Sequence, residues 1–337
     1  MTERKIICSR IKENIKMLLS VCNKKHGEIY QCIYVGKFMI AGSRYLTVKI
    51  NDDLGLGEFC IDASRLSSAV SSFPKDCEIS FILSDGFLEL KGKGRKYKIS
   101  LINSMYPLRD EREEYEDINA NSQFFINSIK KASYAVNVND ARPYLQGVCI
   151  DGGFVGTDGY KTCFISDEDI ETISKPIVPL DFIKILPVVC DNGKFKLSNR
   201  SIKFDSGNIE ITSNLIDGIF PDIRRAIPKN EIDISVNRID LIEAVSTCRN
   251  VGLSDILSIT GENGSLLIKS EKIQKDSASA SIEYHGEDFR TGFNAIYLVS
   301  ALKSIESTEV KIKVNKDNSH LLLIDNETIH IITKVFL

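Results

Sequence analysis

The chain contains no tryptophan, and methionine and histidine occur only four times each. The histidines, His26, His285, His320 and His330, are too dispersed for a metal-ligand cluster or for a His-based nucleophile set. The nine cysteines stand at 8, 22, 32, 60, 77, 149, 163, 190 and 248, an odd number with no Cys-x-x-Cys. That spacing argues against a disulfide framework and a zinc module, and for reduced, mostly buried thiols in a cytoplasmic protein. Long apolar runs are missing as well. Stretches such as Leu321–Ile324 fall far short of the ~20 residues that span a bilayer. The opening "MTERKIICSRIKENIK" is charged and lacks the apolar core of a signal peptide. No cofactor and no metal are expected. The formal net charge of −3 excludes a simple basic DNA-binding domain on bulk charge alone.

What is present is an ordinary globular composition, 43% apolar and 26% charged, in 337 residues, a length that suggests two or three domains. One stretch, "GFVGTDGYKT" (153–162), resembles a phosphate-binding loop, G-x-x-x-x-G-K-[ST], and would make the chain a nucleotide-binding enzyme. Tyr160 separates the last glycine from Lys161-Thr162, and "CFISDEDIE" after it reads as a short strand and an acidic loop. A phosphate loop needs a helix there, whose N-terminal amides meet the phosphates. Asp158-Gly159 suits a tight turn between strands instead.

Three segments resemble one another, beginning at Ile61, Val178 and Phe293. Each opens with a helix-start residue (Asp62, Pro179, Asn294), followed four residues later by an apolar anchor (Leu66, Ile183, Leu298). A strand with alternating apolar positions follows: Ile79/Phe81, Phe195/Leu197, Val310/Ile312. Two more strands come after it. Upstream of each segment lies another helical pattern: Ile11–Cys22, Phe124–Val136 and Ile239–Cys248. Phe125, Ile129 and Ala132 share one helix face, as do Leu241, Ala244, Val245 and Cys248. The chain therefore reads as three units of about 115 residues, each α+β with two helices against antiparallel sheet. The joins fall in "DEREEYEDIN" (110–119), an acidic run expected to be solvated, and in "RRAIPKNEID" (224–233). The six helix windows together carry +7, leaving −10 for the remainder. Six such helices on one surface would attract phosphate without reading sequence.

These residues resemble the bacterial beta sliding clamp family, the processivity subunits of replicative DNA polymerase III. The likeness rests on "ASYAVNVNDARPYLQGVCID" with "GTDGYKT", on "SNLIDGIFPDIRRAIPKN", on "FRTGFNAIYLVSALKS" and on the threefold strand pattern. It is nearly continuous after about residue 57 and holds only in outline before it. The resemblance implies three clamp domains, 1–115, 116–229 and 230–337, in an α+β fold. Two protomers would close head-to-tail into a homodimeric ring around duplex DNA, contacting it without sequence preference. It implies no catalysis. DNA-facing residues would be Lys12, Lys16, Lys24, Lys25, Lys130, Lys131, Asn139, Arg238, Arg249 and Lys303. A cleft between the second and third domains would take short peptides of the polymerase III alpha subunit, the clamp loader and repair factors. Carried over by position, it would use Leu145, Thr157, Gly159, Tyr160, Lys161, Thr162, Pro221, Ala226, Ile331, Thr333, Lys334, Val335, Phe336 and Leu337. Departures are concentrated there. Tyr160-Lys161-Thr162 stands where the family usually has histidine, arginine and leucine, and Lys334 and Phe336 stand where proline and arginine are typical. The threonine would make the pocket more polar. An accessory, clamp-like paralogue with altered partners is the alternative. The stretch "KSEKIQKDSASA" lacks the acidic cluster that often faces a basic edge across the ring seam. "KGKGRKYK" (91–98) would supply that edge, and ring closure would either rest more on apolar contacts near Val251 and Leu253 or be weaker.

Overall fold

A computed structural model describes residues 2–109, 112–167, 170, 174–189, 193–227, 231–270, 277–315 and 320–335. These form two compact units, Met1–Gln123 with Lys184–Leu215, and Phe124–Ile183 with Ile216–Leu337. Six α-helices occur among the described residues: α1 (Cys8–Val21), α2 (Ala63–Ser72), α3 (Ser122–Ser133), α4 (Leu180–Val189), α5 (Arg238–Gly252) and α6 (Ala295–Ser304). They coincide with the two helical patterns of each repeat, with ends that differ by up to four residues. The start signals act as expected. Asp62 accepts a hydrogen bond from the Arg65 amide at 2.8 Å, and Asn294 accepts from the amides of Ile296 and Tyr297. Asn237 does the same for α5, through Ile239 and Asp240. The anchors Leu66, Ile183 and Leu298 are all buried, as are Phe125, Ile129 and Ala132 of α3 and Leu241, Val245 and Cys248 of α5.

In the first unit, α1 and α2 pack together above one twelve-stranded antiparallel sheet. Its first eight strands are Thr2–Ile7, Glu78–Ser84, Phe87–Gly92, Arg95–Ile102, Phe59–Asp62, Cys32–Val35, Met39–Gly42 and Leu46–Ile50. The sheet then continues into the second repeat: Ile209–Asn214 pairs with Leu46–Ile50, and Ser201–Asp205, Lys194–Leu197 and Glu116–Asp117 follow. The second unit holds a nine-stranded sheet, in which Lys161–Ser166 of the second repeat pairs with Thr328–Thr333 of the third. It also holds a four-stranded sheet of Ser279–Glu283, Ser265–Ser270, Ile256–Glu262 and Phe289–Asn294. The α5 and α6 helices close over a core that includes Leu241, Val245, Phe293, Leu298 and Leu323.

The first join differs from expectation. The acidic run 110–119 is not simply solvated. Glu113 accepts hydrogen bonds from Tyr115 and Ser201 (2.9 and 2.8 Å) and from Ser198, and Glu116–Asp117 adds a strand to the sheet edge. Burial opposes the charge on Glu113, but these hydroxyl donors outweigh it and hold its carboxyl below the ordinary range. In the second join, a single turn of 3-10 helix (Ile223–Ala226) precedes a strand from Glu231, and residues 228–230 lie outside the described residues. Among the described residues no helix is long and apolar enough to cross a membrane, and no group of three or more His, Cys, Asp or Glu is placed to hold a metal ion.

Candidate functional site: the 157–162 turn and the C-terminal strand

The glycine-rich stretch is a hairpin. Strand Gly153–Thr157 runs antiparallel to Lys161–Ser166, with Asp158, Gly159 and Tyr160 between them and no helix after. Gly159 adopts φ +86°, open to glycine and strained for other residues. Gly156 is small for a packing reason: a Cβ there would lie 2.1 Å from the Ala132 carbonyl oxygen of α3. The glycines thus answer to a turn and to a helix pressed on a sheet, rather than to a phosphate.

Asp158 organises the turn. Its Oδ1 accepts from the amides of Tyr160 and Lys161, both at 2.9 Å, and its other oxygen pairs with the Lys161 ammonium. Both side chains are buried, and Lys161 Nζ also lies 4.8 Å from the centre of the Tyr297 ring. Arg142 clamps the turn from outside. It donates to the Asp158 carbonyl at 2.9 Å and grips Asp140 through two further bonds. Those bonds hold the Asp140 carboxyl at about 2. The Thr162 hydroxyl is paired with Thr157 Oγ1 at 2.8 Å, so the polarity this threonine brings is satisfied inside the wall. Tyr160 is 62% exposed and points to solvent.

The C-terminal strand is laid beside this turn by register. Thr162 opposes Ile331, Lys161 opposes Ile332, and the Thr333 amide donates to the Tyr160 carbonyl at 2.9 Å. The Val335 amide is tied to the Gly292 carbonyl at 3.0 Å. Thr157, Gly159, Tyr160, Lys161, Thr162, Ile331, Thr333, Lys334 and Val335 are therefore brought together. Leu145, at the end of a 3-10 turn (Pro143–Leu145), is 2% exposed. Its neighbour Tyr144, with Phe220 and Ile223 on either side of exposed Pro221, packs against the buried cluster of Cys149, Val155, Phe164 and Ile177. Ala226 ends the one-turn helix there. Phe336 and Leu337 lie outside the described residues. Sequence reasoning missed Asp158, Arg142 and Tyr297 as partners. Asp158 was legible as a turn residue, but its pairing with a lysine three positions on, inside the protein, was not.

The helix cations divide into two groups. Lys16, Lys25, Lys130 and Lys303 are exposed, as is Asn139. Lys12 is half-buried and donates to the Ser71 carbonyl at 3.4 Å. Lys24 sits in a one-turn 3-10 helix, Lys24–His26. Three others are engaged within the protein. Lys131 pairs with buried Asp325 at 3.0 Å, Arg249 pairs with Asp255 at 2.6 Å, and Arg238 donates to the Ser307 and Leu302 carbonyls at 2.7 and 3.4 Å. Beside Lys131, the Tyr134 hydroxyl meets His330 Nδ1 at 2.8 Å. On the hairpin 91–98, Lys91 and Lys96 both pair with Glu89, at 2.9 and 2.7 Å. Val251 and Leu253 are 55% and 70% exposed, and residues 271–276 lie outside the described residues.

Two family profiles match the chain: "DNA polymerase III beta subunit, central domain" over residues 119–222 and "DNA polymerase III beta subunit, C-terminal domain" over 224–335. Among curated relatives, the beta sliding clamp of Pseudomonas aeruginosa is 26% identical over 296 residues, covering 82% of this chain and 80% of that protein. That of Helicobacter pylori is 22% identical over 318 residues, covering 86% and 83%. The crystal structure of the P. aeruginosa polymerase III subunit beta superimposes with a TM-score of 0.89 at 21% identity, covering both chains in full. A sliding clamp from Bartonella birtlesii, solved bound to griselimycin, gives 0.92 at 19% identity, again over both full chains. The chain belongs to the DNA polymerase III beta subunit family, the bacterial beta sliding clamps.

Proposed function

We infer that this protein is a DNA sliding clamp: a non-catalytic processivity factor that encircles duplex DNA and tethers a replicative polymerase and other partners to it. The observation that carries this reading is the pair of family matches, which together run from 119 to 335 in a chain with the clamp fold. The proposal includes three domains, at 1–115, 116–229 and 230–337, acting in the cytoplasm. Two protomers close the ring head-to-tail. Strand Arg95–Ile102 pairs with Phe59–Asp62 only through Leu101 and Ile102, which leaves one edge of 95–100 open, and Ser279–Glu283 is the edge of its own sheet. Open edges of this kind add a strand from a second chain. The exposed Lys16, Lys25, Lys130, Asn139 and Lys303 are the foremost DNA-facing groups, with Lys12 and Lys24 beside them. Lys131, Arg238 and Arg249 contribute field rather than contacts, because their charged groups are already engaged.

The wall formed by Thr157–Thr162 and Ile331–Val335 is the proposed peptide cleft. Exposed Tyr160 and internally paired Lys161 favour partners chosen by apolar and aromatic contact over partners needing a cation at 161. That same observation favours the alternative of a clamp paralogue with altered partners. Loading onto nicked circular DNA tests the clamp itself. The protein is expected to stay on the circle and to leave when the circle is cut. Equal retention on linear DNA would reduce it to an ordinary DNA binder.

A further inference from the structure

The first unit carries a cavity of about 240 Å³ that the clamp reading does not use. Its floor is the outer face of four consecutive strands, Met39–Gly42, Leu46–Ile50, Ile209–Asn214 and Ser201–Asp205. On Leu46–Ile50, residues 46, 48 and 50 are buried on one face, so Thr47 and Lys49 stand on the other, facing the cavity. Leu108, Arg109, Glu113 and Tyr115 line its other side.

Three cations and two carboxylates line this space. Both carboxylates have donors of their own. Glu210 is paired with Lys203 at 3.4 Å, and Glu113 is held by Tyr115, Ser198 and Ser201. Lys203 Nζ also sits 4.4 Å from the centre of the Tyr115 ring. Arg109 donates through Nε to Thr47 Oγ1 (3.2 Å), and through Nη2 to the Tyr45 carbonyl and Asn214 Oδ1 (both 2.7 Å). Its Nη1 makes no hydrogen bond among the described residues. Lys49 opposes Glu210 across the strand pair, yet it forms no ion pair among the described residues and rests over Phe38, 4.6 Å from the ring centre. Burial already works against the Arg109 charge. A lining that merely closed the sheet would be expected to spend these donors or replace them with apolar side chains.

We propose that this cavity is a binding site for a small organic anion with a compact apolar body, of the aromatic carboxylate class. The carboxylate is taken by the unspent donors of Lys49 and Arg109, and the ring lies against Phe38 and Ile40. The volume is below the ~300–1,000 Å³ of pockets for drug-sized ligands, which limits the occupant to about one ring and its charged group. The apolar face of Phe38, Ile40 and Leu108 selects against a bare inorganic anion, and the one cation in excess of the two carboxylates selects against a neutral ring.

Titration calorimetry on the full chain tests this with three probes: benzoate, inorganic phosphate and benzyl alcohol. Benzoate is expected to bind saturably, one per chain, and more tightly than either of the others. Lys49→Gln, at a half-exposed position where folding is tolerant, is expected to weaken benzoate binding by about tenfold, the scale of a lost charge-assisted hydrogen bond. Arg109→Lys is expected to weaken it too, while Lys75→Gln, on an exposed turn elsewhere, leaves it unchanged. Four results overturn the proposal: no saturable benzoate binding at millimolar concentration, phosphate binding as tightly as benzoate, benzyl alcohol binding as tightly as benzoate, or benzoate binding that Lys49→Gln does not alter.

Discussion

His330 shows how a single side chain here depends on neighbours far off in sequence. It is fully buried on strand Thr328–Thr333, opposite Cys163, with Tyr134 on Nδ1 and no partner at Nε2 among the described residues. Burial lowers its proton affinity most, nearby Lys131 lowers it further, and Asp325 only partly opposes them, leaving a value of about 3 against an ordinary 6.5. Below about pH 6.5 the unfolded chain therefore binds a proton that the folded chain refuses. Stability is complete above that pH and falls as the solution is acidified toward about 3. Urea denaturation between about pH 7 and pH 5 should show the difference between wild type and His330→Gln shrinking by on the order of 1.4 kcal/mol per pH unit below 6.5. Parallel profiles would mean that the histidine is solvated. Asp158 offers a second test at this scale. Asp158→Ala strands a buried lysine, and a loss of about 3–5 kcal/mol is expected, largely recovered when Lys161→Met is added. A loss under about 1 kcal/mol would show that the Lys161 ammonium reaches water instead.

At the scale of elements, the helices were the most legible part of the sequence. A capping side chain and an apolar stripe are both local signals, so Asp62 and Asn294 marked the starts of α2 and α6 to the residue. Asn294→Ala should cost about 1 kcal/mol in denaturant midpoint analysis, since it orphans the amides of Ile296 and Tyr297. An unchanged midpoint would mean that packing of Leu298 and Leu302 alone sets that end. The hairpin at 158–160 was legible too, because Asp-Gly before a strand has one economical solution. Less legible was the acidic run near 113. Its composition resembles a solvated linker, but Ser198 and Ser201, more than eighty positions away, turn Glu113 into a bonded part of the sheet edge.

For the whole molecule, the joining of repeats through continuous sheet is the main structural fact. Strands 46–50 and 209–214 pair across the first two repeats, and 161–166 and 328–333 across the last two. The edges left open, at 95–100 and 279–283, are where a second protomer would continue the pattern. Light scattering at micromolar concentration is expected to give roughly twice the 37.7 kDa chain mass. A strictly monomeric protein would count against the ring, whatever the fold of the protomer.

The amino-acid sequence by itself determined the repeat, the two helices of each unit, the hairpin in place of a phosphate loop and the family. These follow from periodicity, caps and turns, which act within a few residues. It did not determine which cations remain free. Lys131, Lys161, Arg238 and Arg249 look alike in a charge count, yet each is bound to a carboxylate or carbonyl that only the folded chain supplies. Nor did it show the cavity beneath Arg109, which is lined from strands more than 150 residues apart that share one sheet face. Pairing between distant strands is fixed by register and packing, and that was settled by the tertiary structure alone.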